Sequence, residues 1–241
     1  MKIFERILNK IASYIVNYKV FPKHIAKQMP IYTSYHVKYE GLYKGCIELE
    51  SNQIYKGMIQ IGFPRIAPGL KNGNNKSIVT FVGGGRIIFG GKADMSQGLS
   101  ISIFRNAILK IGEGIYTNGY CSILCKESIT IGKNNMWGWN VFVVDGDGHP
   151  IWNNENNLVN ENRPIKIGND VWLGAYTKVL KGAEIKNGCI VGLGSIVTAK
   201  NENEKAIIVG SPAKEIKSGF TWSREELVSN IDGFFCIRNF Y

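Results

Sequence analysis

The chain has no uninterrupted apolar run of about 18 residues, which excludes a bilayer-spanning helix on hydropathy grounds. Its opening, MKIFERILNKIASYIV, lacks the small-residue cleavage site of a signal peptide, and charges break its apolar stretch. A cytoplasmic location is therefore expected, with the inner face of the membrane as a variant of it. The cysteines are few and unpatterned: Cys46, Cys121, Cys125, Cys189 and Cys236, an odd number with no CxxC pair. That argues against a disulfide framework or a zinc ribbon and for buried apolar thiols. The net charge is +10, yet the basic residues are scattered. No zinc finger, RNA-binding aromatic signature or basic reading helix accompanies them, so no nucleic-acid partner is expected. The charge is equally suited to an anionic membrane surface or a phosphorylated small molecule. Histidine is scarcest of all, with His24, His36 and His149 alone.

What the sequence does have is a period. From Ile167 an aliphatic residue recurs every six positions, through Leu173, Val179, Ile185, Val191 and Val197. Four residues after each stand Val171, Thr177, Ala183, Cys189, Ser195 and Asn201, mostly small. A helix of 3.6 residues per turn does not lock to six. The spacing predicts short strands joined by tight corners, three sides to a coil, with stacked coils burying one aliphatic column. Upstream the pattern loosens to aliphatic-x-aliphatic-Gly: IQIG (59–62), IIFG (87–90), LKIG (109–112), ITIG (129–132) and IKIG (165–168). Ile111, Thr117 and Ile123 step by six, as do Ile131, Trp137 and Val143. The interval from Ile131 to Ile167 holds about one coil too many residues, and the surplus lies between Val144 and Pro164. This segment, residues 144–164, is predicted to be a loop thrown out from a corner, and it carries the only histidine within the repeats, His149, in DGDGHPIW.

The chain divides into a capping segment (1–40), a repeat domain (41–218) and a tail (219–241). Residues 1 to about 20 read as an amphipathic helix with Ile3, Phe4, Ile7, Leu8, Ile11 and Ile15 on one side and Lys2, Arg6 and Lys10 on the other. Two roles stand open for it: capping the first coil, or peripheral contact with a membrane surface. At the far end, Ser223 and Glu226 have the spacing of a capping box, which predicts a short closing helix through about Asn230.

The run PIKIGNDVWLGAYTKVLKGAEIKNGCIVGLGSIVT, with VGSPAKEIK after it and DGHPI before it, resembles the hexapeptide-repeat acyltransferases. The resemblance covers about residues 105 to 218. It is most similar to the galactoside and maltose O-acetyltransferase branch, and similar also to bacterial polysaccharide O-acetyltransferases. It implies an all-β fold, a left-handed parallel β-helix built from hexapeptide repeats, to which the N-terminal helix and the short C-terminal helix read above are added. It also implies a homotrimer, acetyl-CoA bound in the groove between neighbouring β-helices of that trimer, no metal, and a saccharide acceptor.

For such a transfer the attacking alcohol must lose its proton and the thioester carbonyl must be polarised. An imidazole suits the first task, and the family's base occupies the place of His149 in Gly148-His149-Pro150. Either Asp145 or Asp147 could orient it, with Asp147 preferred; loop aspartates also commonly cap their own turn. Counted back from ITIG, Asn118 matches a substrate-contacting Asn of the family, and an amide can orient a hydroxyl or stabilise an oxyanion. An Asn stacked in a corner is the competing reading. Ala175, Leu193, Gly194 and Thr198 match donor-site positions. Lys217 takes the place of a family arginine, and Lys200 is displaced by one from the usual Thr-Lys pair.

Weaker features are the GGG at 83–85, a turn rather than a phosphate loop, and Trp137, Trp139 and Trp152, which could stack on a sugar or pack beneath the loop. His24 and His36 lie outside the repeats, so no three-His metal site is expected. Two other functions remain compatible with the sequence: N-acetyl transfer to an amino sugar or antibiotic, and a non-catalytic β-helix used for assembly or binding.

Overall fold

A residue that recurs every six positions must change wall at each recurrence if the coil has three sides. The strands do this. The computed structural model describes residues 3–64 and 76–224, with the backbone of 226–229 and 235–238. Its strands stack into walls of nine, seven and six strands, here the first, second and third walls. Ile167 lies in the third wall, Leu173 in the first and Val179 in the second; Ile185, Val191 and Val197 repeat the circuit. All six are buried. The architecture is a left-handed parallel β-helix.

Strand register turns the period into columns. Ile111, Ile131, Ile167 and Ile185 stack along the third wall. Thr117, Trp137, Leu173 and Val191 stack along the first, and Ile123, Val143, Val179 and Val197 along the second. Each fully buried Ile, Leu or Val in such a column contributes roughly 1.5–3 kcal/mol through removal of its surface from water. Trp137 belongs to this core and is fully buried, so it cannot stack on a sugar. The corners are bound by asparagine: the Asn169 carboxamide oxygen accepts from Lys133 N at 2.8 Å, and that of Asn187 accepts from Asn169 N at 2.8 Å. Among the aliphatic-x-aliphatic-Gly motifs, IQIG differs in placement: Ile59–Phe63 is in the first wall, whereas the other four lie in the third. Gly83 and Gly84 form a turn before the strand Arg86–Phe89.

The first coil starts at Ile31–Thr33, paired in parallel with Ile59–Phe63, earlier than the boundary expected at 41. Helix α1 (Ile3–Val20) caps it, followed by the one-turn helix α2 (Lys23–Ala26). The capping face is not the apolar side. Asn9, Ser13, Val16, Asn17 and Val20 are the buried residues. Asn17 donates to Ile31 O at 2.7 Å and accepts from Ile31 N at 3.1 Å; Ser13 Oγ accepts from Thr33 N at 2.9 Å; Asn9 accepts from Tyr35 N at 2.8 Å. A strand edge exposes main-chain donors and acceptors that apolar side chains cannot satisfy, and the polar stripe satisfies them. On the apolar side Ile3, Phe4, Ile7, Ile11 and Ile15 face outward, while Leu8 is half-buried. Lys2 lies outside the described residues.

The far end corrects the second expectation. After Ile207–Gly210 the chain reverses into Ala213–Lys217, which pairs antiparallel. Among the described residues there is no closing helix: Glu226–Ser229 and Phe235–Arg238 form an antiparallel pair. Val228, Phe235 and Ile237 are residues that favour a pleated pair, and Glu226 begins a strand instead of completing a cap. Asn230 lies outside the described residues. Among the described residues no helix is long and apolar enough to cross a membrane.

Candidate active site

The excursion leaves the second wall after Phe142–Val144 and rejoins the third at Ile165–Ile167. Its root is fixed by Asp145, whose fully buried carboxylate accepts from the backbone N–H groups of Lys126, Glu127 and Ser128 at 2.6, 2.9 and 2.8 Å. Arg163 N donates to Asp145 O at 2.9 Å and closes the root. Beyond it the chain is a two-limbed arm, not a slack loop. Trp152 and Leu158 pair as an antiparallel bridge, and Val159 N donates to Ile151 O at 2.9 Å. The Asn153 side chain caps the tip, accepting from Glu155 N and Asn157 N at 2.9 Å each.

Asn160 joins the limbs at His149. Its amide nitrogen donates to His149 O and to Asp147 Oδ2, both at 2.8 Å, and its oxygen accepts from Ile151 N at 2.6 Å. The backbone on both sides of His149 is thereby held, while the His149 side chain is exposed. Among the described residues the imidazole has no hydrogen-bond partner.

Asp147 is engaged elsewhere. Its carboxylate accepts from Lys181 Nζ at 2.5 Å, and its carbonyl accepts from Lys126 Nζ. The hydrogen bond from Lys181, then that from Asn160, holds its carboxyl below the usual aspartate range. The expectation that Asp147 or Asp145 bonds the imidazole is thus not met within one chain. Asp145 binds backbone at the root, and Asp147 ties the arm to the next coil. Asn160, Lys181 and Lys126 carry the arm's geometry and were not singled out from the sequence. Their signal there is slight, since Asn and Lys are common throughout the chain. Beneath the arm lies a cavity of about 210 Å³ lined by Val144, Asp147, Arg163, Leu180, Lys181 and Thr198.

The other expected site residues fall elsewhere on the prism. Register places Gly119, Trp139, Ala175 and Leu193 in one column at the corner from first to second wall. Asn118 precedes Gly119 there and is nearly buried, its N–H donating to Trp137 O at 2.9 Å. Leu193 stands out from this corner at 76% exposure, with the open turn residue Gly194 after it. His149 belongs to the next corner, from second to third wall, together with Thr198 and with Lys200, which is paired with Glu184 at 3.0 Å. Lys217 ends the last first-wall strand, opposite Ile207 at the start of Ile207–Gly210. One chain therefore places Thr198 at the corner from which the His149 arm departs, and separately groups Asn118, Ala175, Leu193 and Gly194. The breadth of the second wall, roughly 10 Å or more for a three-residue strand and its corners, divides the groups. Trp152 is exposed on the arm and Trp139 half-buried at the Leu193 corner. Among the described residues no three His, Cys, Asp or Glu side chains gather to hold a metal.

The profile of the bacterial transferase hexapeptide family (six repeats) matches residues 164–199. A chain of Escherichia coli (strain K12) named for lipopolysaccharide biosynthesis O-acetyl transfer is 32% identical over 143 residues, covering 55% of this chain and 72% of that one. The chain belongs to the hexapeptide-repeat transferase family. The galactoside O-acetyltransferase of Escherichia coli (strain K12) is 32% identical to this transferase over 110 residues, 45% of this chain and 53% of that one. Among solved structures, a polysialic acid O-acetyltransferase shares its fold, with a TM-score of 0.58, 23% identity and coverage of 82% of this chain and 92% of that one. This hexapeptide-repeat protein is an acetyltransferase; what it acetylates is a separate question.

Proposed function

We propose that the protein transfers an acetyl group from acetyl-CoA to a saccharide hydroxyl of a capsule- or lipopolysaccharide-type glycan or its precursor, with His149 as general base. The observation that supports this most is the arm itself: an exposed imidazole on a backbone braced from both limbs by Asn160. A base must reach the proton it abstracts, and a braced arm places one away from its own prism. The relative named for lipopolysaccharide biosynthesis supports a glycan acceptor.

In this reading the acceptor oxygen bonds to the thioester carbonyl carbon while its proton passes to the His149 imidazole. The tetrahedral intermediate then collapses, the carbon–sulfur bond breaks, and the imidazolium proton goes to the departing thiolate. Asn118, near its corner, donates to the developing oxyanion or orients the hydroxyl. The Leu193 corner fits the donor chemically: an exposed aliphatic side chain beside glycine-rich backbone suits pantetheine, whose amides need main-chain partners. Thr198, Lys200 and Lys217 offer a hydroxyl and cations to the phosphates.

His149 and Asn118 lie at different corners of one chain, so the complete site is a seam between copies. A cyclic trimer closes such head-to-tail contacts after three chains, and one chain's arm then meets its neighbour's Leu193 corner. The test is thiol release from acetyl-CoA with a panel of saccharides and amino sugars. A saccharide hydroxyl that supports turnover, lost in His149→Ala, is the expected result. Undiminished turnover in His149→Ala removes the base, and a response to amines alone replaces the O-acceptor with nitrogen. A thermal shift with CoA covers the donor: ligand at about 100 times its Kd adds about 2.7 kcal/mol, and no shift rejects the donor site.

A further inference from the structure

Helix α1 presents two faces with separate fates. Its polar stripe is committed to the first strand by the bonds of Asn9, Ser13 and Asn17, which fixes how the helix is rolled. The opposite side is apolar and open: Ile3, Phe4, Ile7, Ile11, Tyr14 and Ile15 are each at least 51% exposed. At 100° per residue these fall within one arc of about a third of the circumference, along a helix about 27 Å long. Arg6 and Lys10 border one edge of the arc and Lys19 the other, all exposed. Over residues 1–27 the chain carries Lys2, Arg6, Lys10, Lys19, Lys23 and Lys27 against the single acid Glu5. Half of the net charge of +10 is thus concentrated at this end.

We infer that α1 docks the protein, helix axis in the plane, on a membrane surface bearing anionic headgroups. An apolar arc of Ile, Phe and Tyr enters the acyl boundary, and flanking cations meet the headgroups. Charge complementarity selects this occupant. A second copy laid against the same face would set Arg6, Lys10 and Lys19 against their counterparts, which is repulsive. Because the roll of α1 is fixed by strand-edge bonds, the apolar arc cannot turn inward when no membrane is present. The inference does not depend on the acceptor or on the role of His149.

The test is co-sedimentation of the full chain with vesicles of phosphatidylcholine alone or mixed with phosphatidylglycerol. The expected result is binding to the mixed vesicles only, released by salt. Two double variants, I7S/I11S and K10E/K19E, should each weaken binding by about tenfold or more. Their melting temperature and solution mass should stay unchanged, since every substituted residue is exposed. Equal binding to both vesicle types, no binding to either, or parental binding by both variants overturns the proposal. A smaller solution mass for I7S/I11S would assign the face to a second copy instead and overturns it equally.

Discussion

Lys181 Nζ meets Asp147 Oδ2 at 2.5 Å, so a lysine of one coil holds the arm that leaves the coil before it. The Lys181 side chain is mostly buried and the Asp147 carboxylate is not. As an ion pair at the surface it is worth about 0–1 kcal/mol at most, which makes it a positional device more than a stabilising one. Lys181→Met is expected to lower kcat about tenfold or more through a misplaced His149, with little change in melting temperature. Steady-state kinetics beside a thermal melt checks both.

The same contact sets an acid limit for the arm. Asp147 has a depressed carboxyl pKa in the folded chain, from the Lys181 and Asn160 bonds. Its contribution is present above the ordinary aspartate range and is lost as pH falls through the folded value. Limited proteolysis of residues 146–164 should therefore stay slow from neutral pH down to about 5 and accelerate only below about 4. In Lys181→Met it should be fast throughout. A parent arm that loosens between pH 6 and 7 would contradict this.

Two glycines should respond oppositely to an added methyl. A Cβ on Gly174 would lie 2.7 Å from Leu193 N and 2.8 Å from Val191 O, both backbone atoms of the next coil. Gly174→Ala is expected to force the coils apart, at a cost of about 1–3 kcal/mol. A Cβ on Gly148 would meet nothing within 4 Å, and Gly148→Ala should stay within about 0.5 kcal/mol. Denaturant unfolding of the two variants separates them.

Asp145 is the arm's anchor and not a partner of the imidazole. Asp145→Ala removes the acceptor of three backbone N–H groups in a buried corner. A loss of about 3 kcal/mol or more is expected, since each orphaned donor costs about 1–3 kcal/mol. Asp147→Ala, on the exposed side, should leave unfolding nearly unchanged. Comparable destabilisation by the two would show that the roles are misassigned.

Cys121 is fully buried, and burial pushes its thiol up to about 12. Cys46, Cys125 and Cys189 are raised by burial too. These four should resist alkylation by iodoacetamide at pH 8 in the folded protein and react on unfolding, as peptide mass spectrometry can read.

The walls were legible because the six-residue period has one structural solution: Ile167, Leu173 and Val179 must each face the same axis from a different side. The arm was legible as surplus length between Val144 and Pro164. The roll of α1 was not. Hydropathy places an apolar stripe inward, but this helix meets a strand edge, where main-chain polarity outweighs apolar area and selects Asn9, Ser13 and Asn17. The tail misled because Ser223 and Glu226 have cap spacing, while pairing of 226–229 with 235–238 depends on residues further on. Asp147 was assigned to His149 by proximity in sequence, and its partners Lys181 and Asn160 come from other turns of the chain.

The central claim is that the working site joins His149 of one copy to the Asn118 corner of another. Co-expression of two separately inactive variants, His149→Ala and Asn118→Ala, tests it most directly. In mixed trimers of the kind proposed, each seam would work only with an intact histidine on one side and an intact asparagine on the other. The account predicts recovery of about a quarter of parental turnover at equal mixing. Mixed assemblies no more active than either variant alone would contradict it.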